Sequence, residues 1–83
     1  MAGGDRKIEA YYALFEPHSP AAEPHRHTGA EIIYVIEGEL AVKLEADETI
    51  LGQGDSMYFD SGFLHSYRNH GQDVCAVLVA IAR

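Results

Sequence analysis

The chain has 83 residues, with 13 acids against six bases and a formal net charge of −7. That length suits one small domain with a modest core, and that charge would repel a phosphate backbone, which argues against direct nucleic-acid binding by this chain. Apolar residues make up 47% of the sequence, enough for a folded domain, yet no apolar run approaches the ~20 residues that a membrane helix needs.

Residues 1–7 read as a flexible leader, and residues 8–83 as one β-barrel domain. Ile8 to Phe15 is rich in aromatics and lacks a helix cap, so it reads as a strand. Glu16 to Pro24 holds all three prolines and breaks regular structure. His18 lies there, as an exposed loop residue. Ile32 to Glu37 is a strand with few polar positions. Gly38 turns the chain, and Glu39 to Glu45 returns, with Leu40, Val42 and Leu44 alternating on one face. Asp47-Glu48 is the next turn, followed by a short strand at Thr49 to Leu51 and a turn at Gly52 to Asp55. Ser56 to Phe59, His65 to Asn69 and Val74 to Ile81 complete the strands. The single cysteine, Cys75, excludes an internal disulfide; it sits in an apolar run as a buried thiol, and this usage fits a reducing cytoplasm.

Short strands, Gly-rich turns and the lack of an amphipathic helix predict an all-β fold, a small antiparallel β-barrel or sandwich. If Glu31 faces its interior, Ile33 and Val35 do too, and Ile32, Tyr34 and Ile36 face out. A chain this small does not normally leave such a patch exposed, so the sequence predicts a homodimer packed sheet against sheet.

The chemistry concentrates in Pro24-His25-Arg26-His27-Thr28-Gly29-Ala30-Glu31. A His-x-His pair alone marks a solvated loop more often than a pair of ligands. Here Glu31 follows with the same parity, and on an extended chain His25, His27 and Glu31 would project to one side. Two imidazoles and a carboxylate are a common set for first-row metals. His18, His65 and His70 are the remaining histidines and the candidates to complete it.

Two spaced motifs then carry a resemblance. His25, His27, Glu31 and Gly38 fit the first motif of the cupin superfamily, His-x-His, Glu, Gly. Gly54, Gly62, His65 and Asn69 fit the second, with Asp60 where proline is usual and Ser19 where the first motif usually opens with glycine. The resemblance covers roughly residues 8–82 and implies a small jelly-roll barrel holding one divalent metal ion through His25, His27, Glu31 and His65. Zn, Ni, Mn, Cu and Fe all suit that set. His70, in the turn His70 to Asp73, reads as solvated. The stretches Glu31 to Leu40 and Gly54 to Ser61 are also similar to the cupin domains that follow a helix-turn-helix in bacterial repressors of the xenobiotic-response-element type.

This resemblance implies a sensor domain that binds a small-molecule ligand and reports to a fused or partner helix-turn-helix. The pocket wall would be Ile33, Val35 and Tyr67. The alternative is a small metal-dependent enzyme of the dioxygenase or isomerase type. Such an enzyme usually needs an acid or base beside the metal. Glu31 is already committed as a ligand, and Tyr58 and Tyr67 are the remaining proton donors considered, with Tyr67 favoured by its parity with His65.

Overall fold

The computed structural model describes residues 8–19 and 23–83, and the expected leader at 1–7 lies outside them. The described residues form seven strands: β1 (Ile8–Phe15), β2 (Ala30–Glu37), β3 (Leu40–Leu44), β4 (Asp47–Leu51), β5 (Ser56–Asp60), β6 (His65–Asn69) and β7 (Cys75–Ala82). They make two antiparallel sheets, one in the order β1-β7-β2-β5 and the other β4-β3-β6. The all-β, antiparallel jelly-roll expectation is met. No helix among the described residues is long and apolar enough to cross a membrane.

Alternation decides what each strand buries. Along β2, Glu31, Ile33 and Val35 are buried while Ile32 and Tyr34 are exposed. The inner faces pack Ile33, Val35, Leu40, Val42, Leu51, Phe59, Cys75, Val77 and Val79 into one core. Each large side chain buried there contributes roughly 1.5–3 kcal/mol relative to exposure. Burial also raises the Cys75 thiol above its ordinary range, the expected behaviour of an inert core cysteine.

One turn differs from expectation. The β3–β4 reversal falls at Glu45-Ala46, and Asp47 and Glu48 already belong to β4, paired with Leu44 and Lys43. Glu45 takes a positive φ of 53°. Its amide donates to the Leu64 carbonyl at 2.7 Å, and its carboxylate accepts from the Leu64 amide at 2.7 Å. This double link to the chain just before His65 holds Glu45 in a backbone region that non-glycine residues visit rarely.

The two sheets are tied together at one end by residues 25–29. His25 exchanges backbone hydrogen bonds with His65, both 3.0 Å, which adds it to the β6 side. Two residues on, the His27 amide donates to the Ser61 carbonyl at 3.0 Å, and the Ser61 amide donates to the Gly29 carbonyl at 2.9 Å, just beyond β5. The segment is therefore not the continuous strand that parity suggested: only His25 makes a ladder contact, and Gly29, at φ 106°, turns the chain into β2. Asn69 fastens the opposite end. Its side-chain amide donates to the Phe15 and Asp73 carbonyls, each at 2.8 Å, and its oxygen accepts from Gly71.

Gly29 has a second constraint besides its positive φ, because a Cβ there would run into the backbone carbonyl of Ala82. Gly29→Ala is therefore expected to lower stability by roughly 1–3 kcal/mol, the usual range for a forced backbone conformation. A fall in the urea midpoint with unchanged slope would register this, and an unchanged midpoint would contradict it.

Candidate metal centre

The cross-link at residues 25–29 sets three imidazoles against one another. One ring nitrogen from each of His25, His27 and His65 lies within 4.8 Å of the others. Ring centroids are 4.7 Å apart for His25 and His65, 5.3 Å for His27 and His65, and 5.9 Å for His25 and His27. His65 is fully buried, His27 is half-buried and His25 is exposed, so the cluster opens towards solvent on the His25 side.

Each ring turns its Nδ1 to a backbone carbonyl close in sequence. His65 Nδ1 is 2.7 Å from the Phe63 oxygen, His27 Nδ1 is 3.1 Å from the Thr28 oxygen, and His25 Nδ1 is 3.4 Å from the Glu23 oxygen. A carbonyl only accepts, so Nδ1 carries the proton in each contact, the His25 one being the weakest. In the neutral ring that leaves Nε2 with its lone pair free. Fixing a tautomer through the remote ring nitrogen in this way is how proteins prepare a histidine ligand.

Glu31 supplies the fourth group. It is 2% exposed, and it is the only buried carboxylate among the described residues. Its Oε2 is 3.0 Å from His27 Nε2 and 2.6 Å from His65 Nε2. The second approach does not meet hydrogen-bond geometry, and His65 Nε2 is a buried nitrogen without a partner. A lone pair and a carboxylate oxygen held this close repel unless positive charge is shared between them. A divalent cation at Nε2 and Oε2 would supply that charge, and the donor set fits one.

Two hydroxyls complete the surroundings of Glu31. Tyr67 donates to Oε1 at 2.7 Å, and the fully buried Ser61 donates to Oε2 at 3.3 Å. Burial first, then the hydrogen bond to Glu31 and its negative charge, hold the Tyr67 phenol well above its usual range. The Phe59 ring lies 5.1 Å from that of His65.

The structure thus brings His25, His27, Glu31 and His65 together, with Tyr67 touching Glu31. Ile33 and Val35 face inward as expected but sit within the packed core. Tyr58 is 71% exposed on the outer face, away from the cluster. His18 and His70 are exposed, and neither joins the group of three histidines. A cavity of about 390 Å³ lies beside Lys43, Glu48, Ser66, Tyr67 and Arg68, and none of the three histidines lines it. Sequence reading missed Ser61 and Phe59 as neighbours of the site. The signal for Phe59 was register, since it pairs with Glu31 across β2 and β5. Asp60, standing where proline is usual, accepts from the Gly62 amide at 2.7 Å and so makes an Asx turn in its place.

Comparison with known proteins agrees with this geometry. The cupin domain family model matches residues 11–81. The HTH-type transcriptional regulator PuuR of Escherichia coli K12 is 26% identical over 76 residues, which are 92% of this chain and 41% of the regulator. The chain therefore spans about two fifths of that protein. Beta-D-galactosidase Rv1717 of Mycobacterium tuberculosis is 33% identical over 82 residues, covering 98% of this chain and 69% of that protein. The crystal structure of a cupin domain from an XRE family transcriptional regulator of Enterobacter cloacae superposes with a TM-score of 0.82 at 23% identity, covering 93% of this chain and 82% of that one.

The Tyr67 phenol gives the site an alkaline signature. Its raised pKa means that the folded chain holds this proton more tightly than the unfolded chain, whose tyrosine ionises near the reference value of 10.0. The stability from Tyr67 is therefore present below about pH 10 and is lost as pH climbs above it. Spectrophotometric titration of the folded protein should fall one phenolate short of the five tyrosines, with the missing one appearing only on unfolding. Full ionisation with the fold intact would refute this.

Proposed function

The chain belongs to the cupin domain family, and we propose that its barrel binds one divalent metal ion through His25, His27, Glu31 and His65 and, at the ion's remaining positions, a small-molecule ligand. The observation that carries the metal reading is the set of three imidazoles with Nδ1 tied to carbonyls, together with the unpartnered Nε2 of His65 against Glu31 Oε2. Three nitrogens and a carboxylate oxygen suit Zn, Ni, Mn, Cu or Fe.

The role that fits best is the sensing domain of a cytoplasmic transcriptional regulator, acting through a fused or partner helix-turn-helix. The family resemblance to regulator cupin domains supports it, and so does a charge of −7 on a chain that would leave DNA contact to another unit. In this reading residues 8–83 are the sensing unit, and the ligand meets the ion beside Tyr67, with Ile33 and Val35 packed in the core behind Glu31.

The relative named as a beta-D-galactosidase favours a second reading, a metal-dependent cupin enzyme. Glycoside hydrolysis in its usual form takes two carboxyl groups flanking the bond. Here Glu31 is the only buried carboxylate among the described residues, and both of its oxygens are engaged. That donor count supports binding over turnover.

Protein purified without an affinity tag should take up one equivalent of Zn, Ni, Mn, Cu or Fe(II), lose it in His65→Ala, and bind more weakly on acidification because each imidazole must ligate as the neutral base. Uptake of none of these ions would overturn the metal reading. Catalytic turnover of a galactoside, diol or keto-sugar by the loaded protein, abolished in His65→Ala, would replace the sensor with the enzyme.

The regulator reading includes a homodimer. The outer face of β1-β7-β2-β5 presents Tyr12, Leu78 and Tyr34 in one row, and Ala10, Ala80, Ile32 and Tyr58 in the next. Ile8 and Leu14 flank these rows, and most of the large residues on this face are exposed. Packing two such faces together would bury a neutral surface between chains that each carry −7. Light scattering at micromolar concentration should give a dimeric mass, and Tyr34→Glu with Leu78→Glu should give monomers or insoluble protein. A monomeric mass for the unmodified chain would remove the dimer.

A further inference from the structure

We infer that Tyr67 is a positioning residue for Glu31: its hydroxyl engages Oε1, so that the carboxylate meets His27 and His65 through Oε2 alone. This rests on the metal reading above and specifies how the carboxylate would bind.

The two oxygens of Glu31 have different company. Oε1 accepts from the Tyr67 hydroxyl at 2.7 Å. Oε2 lies 3.0 Å from His27 Nε2, 2.6 Å from His65 Nε2 and 3.3 Å from Ser61 Oγ. The terminal torsion of a glutamate is broad, so an unrestrained carboxylate could swing both oxygens towards a cation. Tyr67 opposes that swing. Its ring is placed by an edge contact with Phe15 at 6.5 Å and by packing against the core. Withdrawing Oε1 would strand a partly buried hydroxyl without its acceptor, which is unfavourable. Strand geometry supplies the aim, because Tyr67 pairs with Val42 in β6 and β3 and so reaches inward across the barrel to β2.

The consequence is an allotment of coordination positions. Three imidazoles and one oxygen make four protein ligands. An ion that takes six would keep two positions for water or a small molecule, whereas a carboxylate binding through both oxygens would occupy one of them. Tyr67 therefore acts on ligand capacity without touching the ion.

Co(II) serves as the probe, because its visible spectrum reports ligand number. Tyr67→Phe keeps the ring and removes the hydroxyl. The variant should show a changed Co(II) spectrum and, from chelator competition, an affinity lowered about tenfold, the lower end of what such outer partners supply. Leu51→Val is the stability control; it should lower the melting temperature and leave the spectrum unchanged, since Leu51 packs only in the core. A folded Tyr67→Phe protein with the parent spectrum and affinity would overturn the inference while leaving the metal reading in place. A parent protein that takes up neither Co(II) nor any of Zn, Ni, Mn, Cu and Fe(II) would overturn both. A second measurement needs no variant. With carbon-13-labelled glutamate, the infrared difference between Co(II)-loaded and metal-free protein should show the wide splitting of a one-oxygen carboxylate, and the narrow splitting of a two-oxygen carboxylate would refute the inference even if Tyr67→Phe fails to fold.

Discussion

A carboxylate buried in the interior of a small barrel is the constraint that the rest of this structure answers to. Glu31 is 2% exposed, and an unpaired charge there would cost several kcal/mol. The fold surrounds it with four groups from three places in the chain: His27 from the cross-linking segment, Ser61 from the turn after β5, and His65 and Tyr67 from β6. None of these is adjacent to Glu31 in sequence. They meet because residues 25–29 bond to both sheets, fixing the separation between β6 and the end of β5. The hydroxyls of Ser61 and Tyr67 donate to the carboxylate, whereas the imidazoles, with Nδ1 on backbone carbonyls, turn Nε2 lone pairs towards it, an arrangement that a shared cation would complete. The His27 and His65 rings are each anchored through Nδ1, and Ser61 is anchored through its own amide.

Much of this was legible in the sequence. Strand positions and type followed from alternation and from turn residues, and the inward set Glu31, Ile33 and Val35 followed from parity alone. Parity failed as an account of His25 and His27. Those residues share a destination with Glu31, but the chain between them is a bend through Gly29 and not a strand. Their common aim comes from backbone bonds to His65 and Ser61, partners 40 and 34 residues away in sequence, which periodicity cannot express. The β3–β4 turn was misplaced for a related reason. Asp47-Glu48 has turn-like composition, yet Glu45 takes the strained position because the Leu64 segment bonds it twice. Ser61 looked like turn filler, and its burial against Glu31 depends on tertiary contact.

The polar and apolar faces of the molecule divide by sheet. The outer side of β4-β3-β6 carries Lys43, Glu48 and Arg68, with Arg68 and Glu48 paired at 2.9 Å. Both partners are substantially exposed, so that pair contributes little to stability. The outer side of β1-β7-β2-β5 carries charge only towards its ends, at Glu37 and Asp60, and between them Leu78 pairs with Tyr12 and Tyr34, and Ala80 with Ala10 and Ile32. An 83-residue chain buries a modest fraction of its surface by itself. Covering this face with a second copy would add apolar burial without bringing charged groups together, which matters for two chains of like charge.

Strand β2 connects the histidine cluster and the apolar outer face in the shortest possible way. Alternate residues of one strand line the site and the outer surface: Glu31 is in contact with the histidines, and Ile32 and Tyr34 stand on the side proposed for pairing. The strand is bonded on both sides, to β5 and to β7, and it carries a bulge between Val35 and Glu37. A rigid strand of this kind does not by itself transmit occupancy. Coupling requires two arrangements of the pair that a ligand binds with different free energy. The bulge is where β2 changes register with β7, beyond the regular pairing of residues 30–35 that holds Glu31, Ile32 and Tyr34. In the proposed sensor, the alternation of a single strand would carry the signal, with the carboxylate on one side and the dimer face on the other.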